Sequence, residues 1–165
     1  MFPTLTLYRC FVQYSNGIED DRKPVQGRTV ALQVLSRSGA KRVAPEVPYV
    51  VISLANPGLP HPELRESPHR LGVLRLAFDD IEPTRKRPHG AKTPMTLGHA
   101  REIRLFVEAH LETVELIVVH CEAGVSRSPA VAAALWRWLE GTRGPFFDRF
   151  RPNSHVYRTL WDALA

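Results

Sequence analysis

The sequence predicts an α/β domain: a parallel-rich central sheet flanked by helices, with an anion loop set between a central strand and a buried helix. Three observations predict it. Apolar β-forming runs alternate along the chain with segments of helical period, as parallel strands joined by crossovers require. The run Pro48–Ala55 (PYVVISLA) is apolar without alternation, as in a central strand covered on both faces, and Glu115–His120 (ELIVVH) is a second apolar strand. The second run leads through HCEAGVSRSP into an apolar helix, so a strand, a tight loop and a helix start follow one another without a linker.

The elements follow in order. Residues 4–12 (TLTLYRCFV) hold several β-formers and predict a strand, whereas residues 15–27 are polar and turn-rich and predict a flexible link. Residues 1–27 are therefore set apart as an N-terminal extension, and residues 28–165 as a single catalytic domain. Thr29–Ser36 is the next strand, and Gly39–Val43 a helical turn. Pro48–Ala55 is closed by Asn56-Pro57-Gly58, and residues 59–68 make a surface connection.

Arg70–Phe78 (RLGVLRLAF) is a strand that delivers Asp79 and Asp80 to its C-terminal end. Residues 82–94 are basic and proline-punctuated and form an exposed loop. From Thr96, positions Leu97, Ala100, Ile103, Val107 and Leu111 follow the helical period, with Thr96 or Thr93 as cap. The helix from Arg127 to about Glu140 is apolar around most of its circumference, which places it in the centre of the domain. Gly141, Gly144 and Pro145 end it. A last helix, capped by Asn153 or Ser154, carries Val156, Leu160, Trp161 and Leu164 on one face.

The chain has 165 residues, 44% of them hydrophobic, enough for one sizeable core. Its two cysteines lie far apart in sequence, which argues against a disulfide framework and for a reducing compartment. Cys10 is read as a small buried apolar residue, with a redox partnership to Cys121 as the alternative. The start, MFPTLTLYRC, has neither the basic nor the apolar region of a signal peptide, and no apolar run reaches membrane-spanning length. A cytoplasmic protein with no membrane partner is expected. The net charge of +5 suits an anionic ligand, but no zinc-finger spacing or RNA-binding signature accompanies it, so nucleic acid is not the expected partner.

The loop itself carries the chemistry. Cys121 and Arg127 are separated by five residues, and Ser128-Pro129 opens the helix. Curled backbone N–H groups followed by a helix N-terminus present donors and positive charge to an anion. Gly124 lets the backbone curl. Arg127 can hold two phosphate oxygens through parallel N–H bonds, and a cation at a helix start is otherwise opposed by the helix dipole. The same field favours the thiolate form of Cys121, towards which Ser128 can donate.

HCEAGVSRS resembles the signature HC-x5-R-S/T of the cysteine-dependent protein-tyrosine phosphatase superfamily, in its small dual-specificity branch of bacterial type. Sulfurtransferases, arsenate reductases and low-molecular-weight tyrosine phosphatases also use a cysteine–arginine anion loop, but the last carry it near the N-terminus. The resemblance spans about residues 28–164. It implies a sheet with a late cluster of helices and phosphomonoester hydrolysis through a cysteinyl-phosphate on Cys121, with no metal or cofactor.

It further implies that the N–H groups of Glu122, Ala123, Gly124, Val125, Ser126 and Arg127 cradle phosphate, that His120 orients the loop, and that Ser128 assists the sulfur. LRLAFDD matches the family's strand-to-acid pattern and places the general acid at Asp80, with Asp79 beside it. Arg85, Lys86, Arg87, His89 and Lys92 would flank the substrate, or simply form a solvated run. Glu122 departs from the lysine-rich loops of polyphosphate-directed members, which points away from a highly charged headgroup. Asn153 and Tyr157 are read as structural.

The expected substrate is phosphotyrosine in a protein, with phosphoserine and phosphothreonine besides. Inorganic phosphate and vanadate are expected as competitive ligands. The alternatives are a non-protein phosphate (a nucleotide, an inositol phosphate or an RNA 5′-phosphate) and a catalytically idle phospho-binding module.

Overall fold

The computed structural model describes residues 7–13, 27–86 and 88–165. Residues 4–6 of the first expected strand, most of the expected link at 15–27, and Arg87 lie outside the described residues. Five strands, β1 (Tyr8–Gln13), β2 (Gly27–Leu35), β3 (Tyr49–Ala55), β4 (Arg70–Ala77) and β5 (Leu116–His120), form one sheet in the order β1-β2-β5-β3-β4. The pairs β2–β5, β5–β3 and β3–β4 are parallel, and β1 runs antiparallel on the edge. The helices are α1 (Arg37–Arg42), α2 (Leu97–His110), α3 (Arg127–Glu140), α4 (Phe146–Arg149) and α5 (Ser154–Leu164).

The two strands expected at the centre are the ones with every residue buried, β3 and β5. Their Val and Ile side chains alternate between two cores. Val50, Ile52, Ile117 and Val119 meet α2, α3 and α5 on one face, while Tyr49, Val51, Leu116 and Val118 form a smaller core on the other. Val43, Val47 and Leu64 close that second face beside α1. The larger core thus lies under the helices that follow β4.

α3 is buried on all sides from Arg127 to Leu135, and only its last turn reaches the surface. Alanines at 130, 132, 133 and 134 let it sit close to β1, β2 and β5 on one side and α5 on the other. It ends at Gly141, whose φ of 73° is the left-handed cap that glycine adopts without a Cβ clash. α4 is a single turn that the periodicity does not separate from its surroundings; its Phe146 is buried against Tyr8, Trp136 and Phe150.

β1 is drawn from the segment before residue 28 and shares the main core through Tyr8, Cys10 and Val12. The Glu140 carboxylate at the end of α3 accepts the Phe11 N–H, which ties this edge strand to the buried helix. Among the described residues, no helix is long and apolar enough to cross a membrane.

Candidate active site

Because β2, β5, β3 and β4 are parallel, their C-terminal ends share one edge of the sheet, where open α/β sheets place their ligands. Four segments meet there: the β2–α1 turn, the acid-bearing segment after β4, the loop from Cys121 to Ser126, and the N-terminus of α5.

Cys121 follows β5 directly and is only 2% exposed. Its Sγ accepts the Gly124 N–H at 3.3 Å and lies 3.1 Å from Ser128 Oγ. Gly124 has φ 72°, and a Cβ there would stand 2.7–2.9 Å from Ser36 N and from the C and O of Leu35. Two requirements therefore select glycine: a left-handed backbone and close approach to the β2–α1 turn. The loop is clamped to that turn from both sides, by Cys121 N–H to Leu35 O (3.4 Å) and Arg37 N–H to Glu122 O (3.0 Å).

Arg127, the first residue of α3, is 3% exposed. One of its terminal N–H groups donates to Phe78 O at 2.7 Å, while Nε is buried with no partner. A buried donor left unpaired costs about 1–3 kcal/mol. The start of α3 is likewise free of a side-chain cap, because Ser126 at the cap position turns its hydroxyl to Asp80 instead. An uncapped helix start and an unpartnered guanidinium nitrogen beside a thiol make a site whose donors are completed by an oxyanion.

The two aspartates are separated by what holds them. Asp79 faces its own loop: its N–H donates to Thr93 O, and its Oδ2 accepts the Thr93 N–H, both at 2.7 Å. Asp80 faces the Cys121 loop, its Oδ1 accepting from Ser126 Oγ at 2.7 Å and from Asn153 Nδ2 at 2.8 Å. Asn153 also donates to Ile81 O, and its own Oδ1 caps α5 by accepting from Val156 N–H at 3.0 Å. The last helix is therefore tied to the acid-bearing segment, and Glu82 adds to this by accepting the Ser154 N–H at 2.5 Å.

His120 is 1% exposed, with Nδ1 3.4 Å from Cys121 O and Nε2 2.7 Å from Ser53 Oγ. Burial pushes its imidazole down to about 4; the bond to the Cys121 carbonyl opposes this, and the neighbouring His61, Arg37 and Arg127 add to it. The ring is neutral at physiological pH.

Glu122, Ala123 and Val125 are exposed around the loop, and Glu122 stands 3.9 Å from the Arg37 guanidinium. Arg85, Lys86, His89 and Lys92 are exposed in the segment after Asp80, with His89 Nδ1 2.8 Å from Lys92 O. Tyr157 accepts from Arg137 at 3.0 Å and packs edge-on against Phe147, away from the loop.

Cys10 is fully buried and donates its S–H to Val30 O at 3.1 Å. Burial first, and then the Glu140 charge, push its thiol up to about 12. Cys10 pairs with Val30, and Cys121 follows the residue paired with Leu35, so the two are offset by six positions along β2. At about 3.3 Å per residue that offset is roughly 20 Å, beyond the span of a disulfide. An intramolecular Cys10–Cys121 bond does not fit this fold.

Sequence reasoning missed three partners. Ser53 and His61 stand behind His120, and Asn153 holds Asp80 as well as capping α5. Ser53 leaves a trace in the sequence, as the one small polar side chain in the apolar run PYVVISLA. His61 and the second bond of Asn153 leave none. Among the described residues, no group of three or more His, Cys, Asp or Glu stands together as a metal ligand set.

No protein-family model and no curated protein matches the chain. Solved structures do. The human tyrosine phosphatase-like serine/threonine/tyrosine-interacting protein superposes with a TM-score of 0.54 at 15% identity, over 79% of this chain and 89% of its own. Human DUSP28 gives 0.51 at 19% identity, over 81% and 90%, and DUSP15 gives 0.50 at 18%, over 81% and 82%. With the five-stranded sheet and its helices arranged as described, the chain has the fold of the dual-specificity phosphatases.

Proposed function

We propose that this protein is a cysteine-dependent phosphomonoester hydrolase acting on phosphotyrosine, and on phosphoserine and phosphothreonine, in proteins. The observation that carries the reading is the pairing of a buried Cys121, held by Gly124 N–H and Ser128, with a buried Arg127 whose Nε has no partner. Binding alone would need the guanidinium and the backbone donors but not the thiol, which argues for turnover over an idle binding module.

In the proposed reaction the Cys121 thiolate attacks phosphorus in line, forming the S–P bond as the P–O bond to the leaving group breaks. Arg127 and the loop N–H groups hold the non-bridging oxygens, and their hydrogen bonds strengthen as charge shifts in the transition state. Protonated Asp80 donates its proton to the departing oxygen. Water then attacks the cysteinyl-phosphate with Asp80 as base, and inorganic phosphate leaves as Ser128 donates to the released sulfur. His120 is a positioning residue. Arg85, Lys86, His89 and Lys92 are exposed after Asp80 and would favour phosphopeptides with acidic neighbours.

Glu122, exposed at the loop and paired with Arg37, weighs against polyanionic headgroups. The test is a steady-state screen of phosphopeptides, nucleotides and inositol phosphates with C121S as control. Phosphopeptide turnover lost in C121S is expected. Preferred turnover of a nucleotide or inositol phosphate would replace the protein substrate, and C121S-independent turnover would overturn the mechanism.

A further inference from the structure

The polar groups behind the loop form a row across the sheet. His120 on β5 pairs in register with Ser53 on β3, and Ser53 with Arg75 on β4. Strand alternation puts Ser53 and His120 on the face of Val51 and Val118, the smaller core. In that apolar setting both are 1% exposed, and both are hydrogen-bonded. Ser53 Oγ lies 2.7 Å from His120 Nε2 and 2.8 Å from Nδ1 of His61, which belongs to the connection after β3 and is partly exposed.

The directions of these bonds follow from one end. A carbonyl can only accept, so the bond to Cys121 O requires the proton of neutral His120 on Nδ1. Nε2 is then a bare acceptor, and Ser53 must donate to it. The Ser53 oxygen is left to accept, so His61 must carry its own proton on Nδ1. Burial, the first cause in both cases, lowers the basicity of the two rings and so disfavours the doubly protonated form that would break the chain.

We propose that Ser53 and His61 are positioning residues for Cys121: a one-way chain of donors, His61 to Ser53 to His120 to the Cys121 carbonyl, that fixes the His120 tautomer and with it the peptide plane from which the nucleophile projects. With its carbonyl held by His120, the Cys121 peptide cannot rotate to set that carbonyl against its own sulfur. The inference rests on Cys121 being the nucleophile but not on any particular substrate.

The experiment therefore reads the rings and the thiol directly. Long-range ¹H–¹⁵N correlation spectra of the full chain at neutral pH should show both His120 and His61 protonated on Nδ1. S53A should turn the His120 signal into a tautomer mixture and slow iodoacetate alkylation of Cys121 by roughly two- to tenfold, the range set by one hydrogen bond. H61A should act in the same direction. H61N, whose amide N–H can stand where Nδ1–H stood, should restore both readouts. A wild-type His120 protonated on Nε2 would overturn the proposal, as would an S53A variant with unchanged tautomer and alkylation rate. These outcomes separate from the phosphatase reading: a protein that hydrolyses no phosphate yet shows the tautomers and rates above loses that reading and keeps the chain.

Discussion

Replacing Asp80 with asparagine isolates the proton from the fold. Asp80 Oδ1 accepts from Ser126 Oγ at 2.7 Å and from Asn153 Nδ2 at 2.8 Å, and an amide oxygen in the same place accepts both. The loss to stability is that of charge assistance on these bonds, about 1 kcal/mol in an exposed setting. The loss to chemistry is larger. An amide cannot deliver a proton, so kcat on a phosphotyrosine peptide should fall by roughly 100- to 10,000-fold, about 3–5 kcal/mol of barrier. On an activated aryl phosphate, whose leaving group needs little protonation, D80N should lose far less.

D79N is the control. Asp79 closes its own loop on Thr93 rather than facing Ser126, so its replacement should loosen residues 79–93 and reduce turnover modestly on both substrates. The assay is stopped-flow and steady-state kinetics of wild type, D80N and D79N on the two substrates, with thermal melts to check folding. A crippled D79N beside an intact D80N would refute the assignment, and so would an equal loss for D80N on both substrates.

Three further outcomes are expected. R127K keeps the charge but not the planar fork or the bond to Phe78 O, and should lose at least a hundredfold in kcat/KM while remaining folded; near-wild-type kinetics would exclude bidentate clamping. G124A meets a left-handed φ and three backbone atoms of Leu35 and Ser36 within 2.9 Å, so denaturant melts should show a loss of about 2–5 kcal/mol and turnover should collapse; a neutral substitution would show that the loop does not dock on the β2–α1 turn. His120, with its ring at about 4 against 6.5 when unfolded, contributes stability that is present above pH 6.5 and lost as pH falls towards 4. That contribution is about 3 kcal/mol by linkage, and H120Q should flatten the slope of stability with pH in this window; an unchanged slope would mean that the ring is not held neutral.

The parts of this protein legible in its sequence are those whose cause is local. HCEAGVSRSP places a thiol, a glycine, an arginine and a helix start within ten residues, and short-range geometry alone brings them round one point. Continuous apolarity marked β3 as a strand covered on both faces, and apolarity around its circumference marked α3 as a buried helix. Thr96 and Asn153 cap their helices as their side chains dictate.

What only the tertiary structure decided depends on strand order, which side-chain periodicity does not encode. β3 lies between β4 and β5, so the acid-bearing segment and the Cys121 loop leave strands roughly 10 Å apart, and Phe78 O, Ser126 and Asn153 bridge the gap. The register of LRLAFDD pointed to Asp80 only through the resemblance; in space the bond of Asp79 to Thr93 and that of Asp80 to Ser126 set the two side chains apart. Ser53 reaches His120 only because β3 and β5 are neighbours in that register, and His61 reaches Ser53 only because the connection after β3 folds back over it. The pattern of apolar residues states which faces must be buried, but not which strand will bury them, and it is that choice of neighbour that assembles the site.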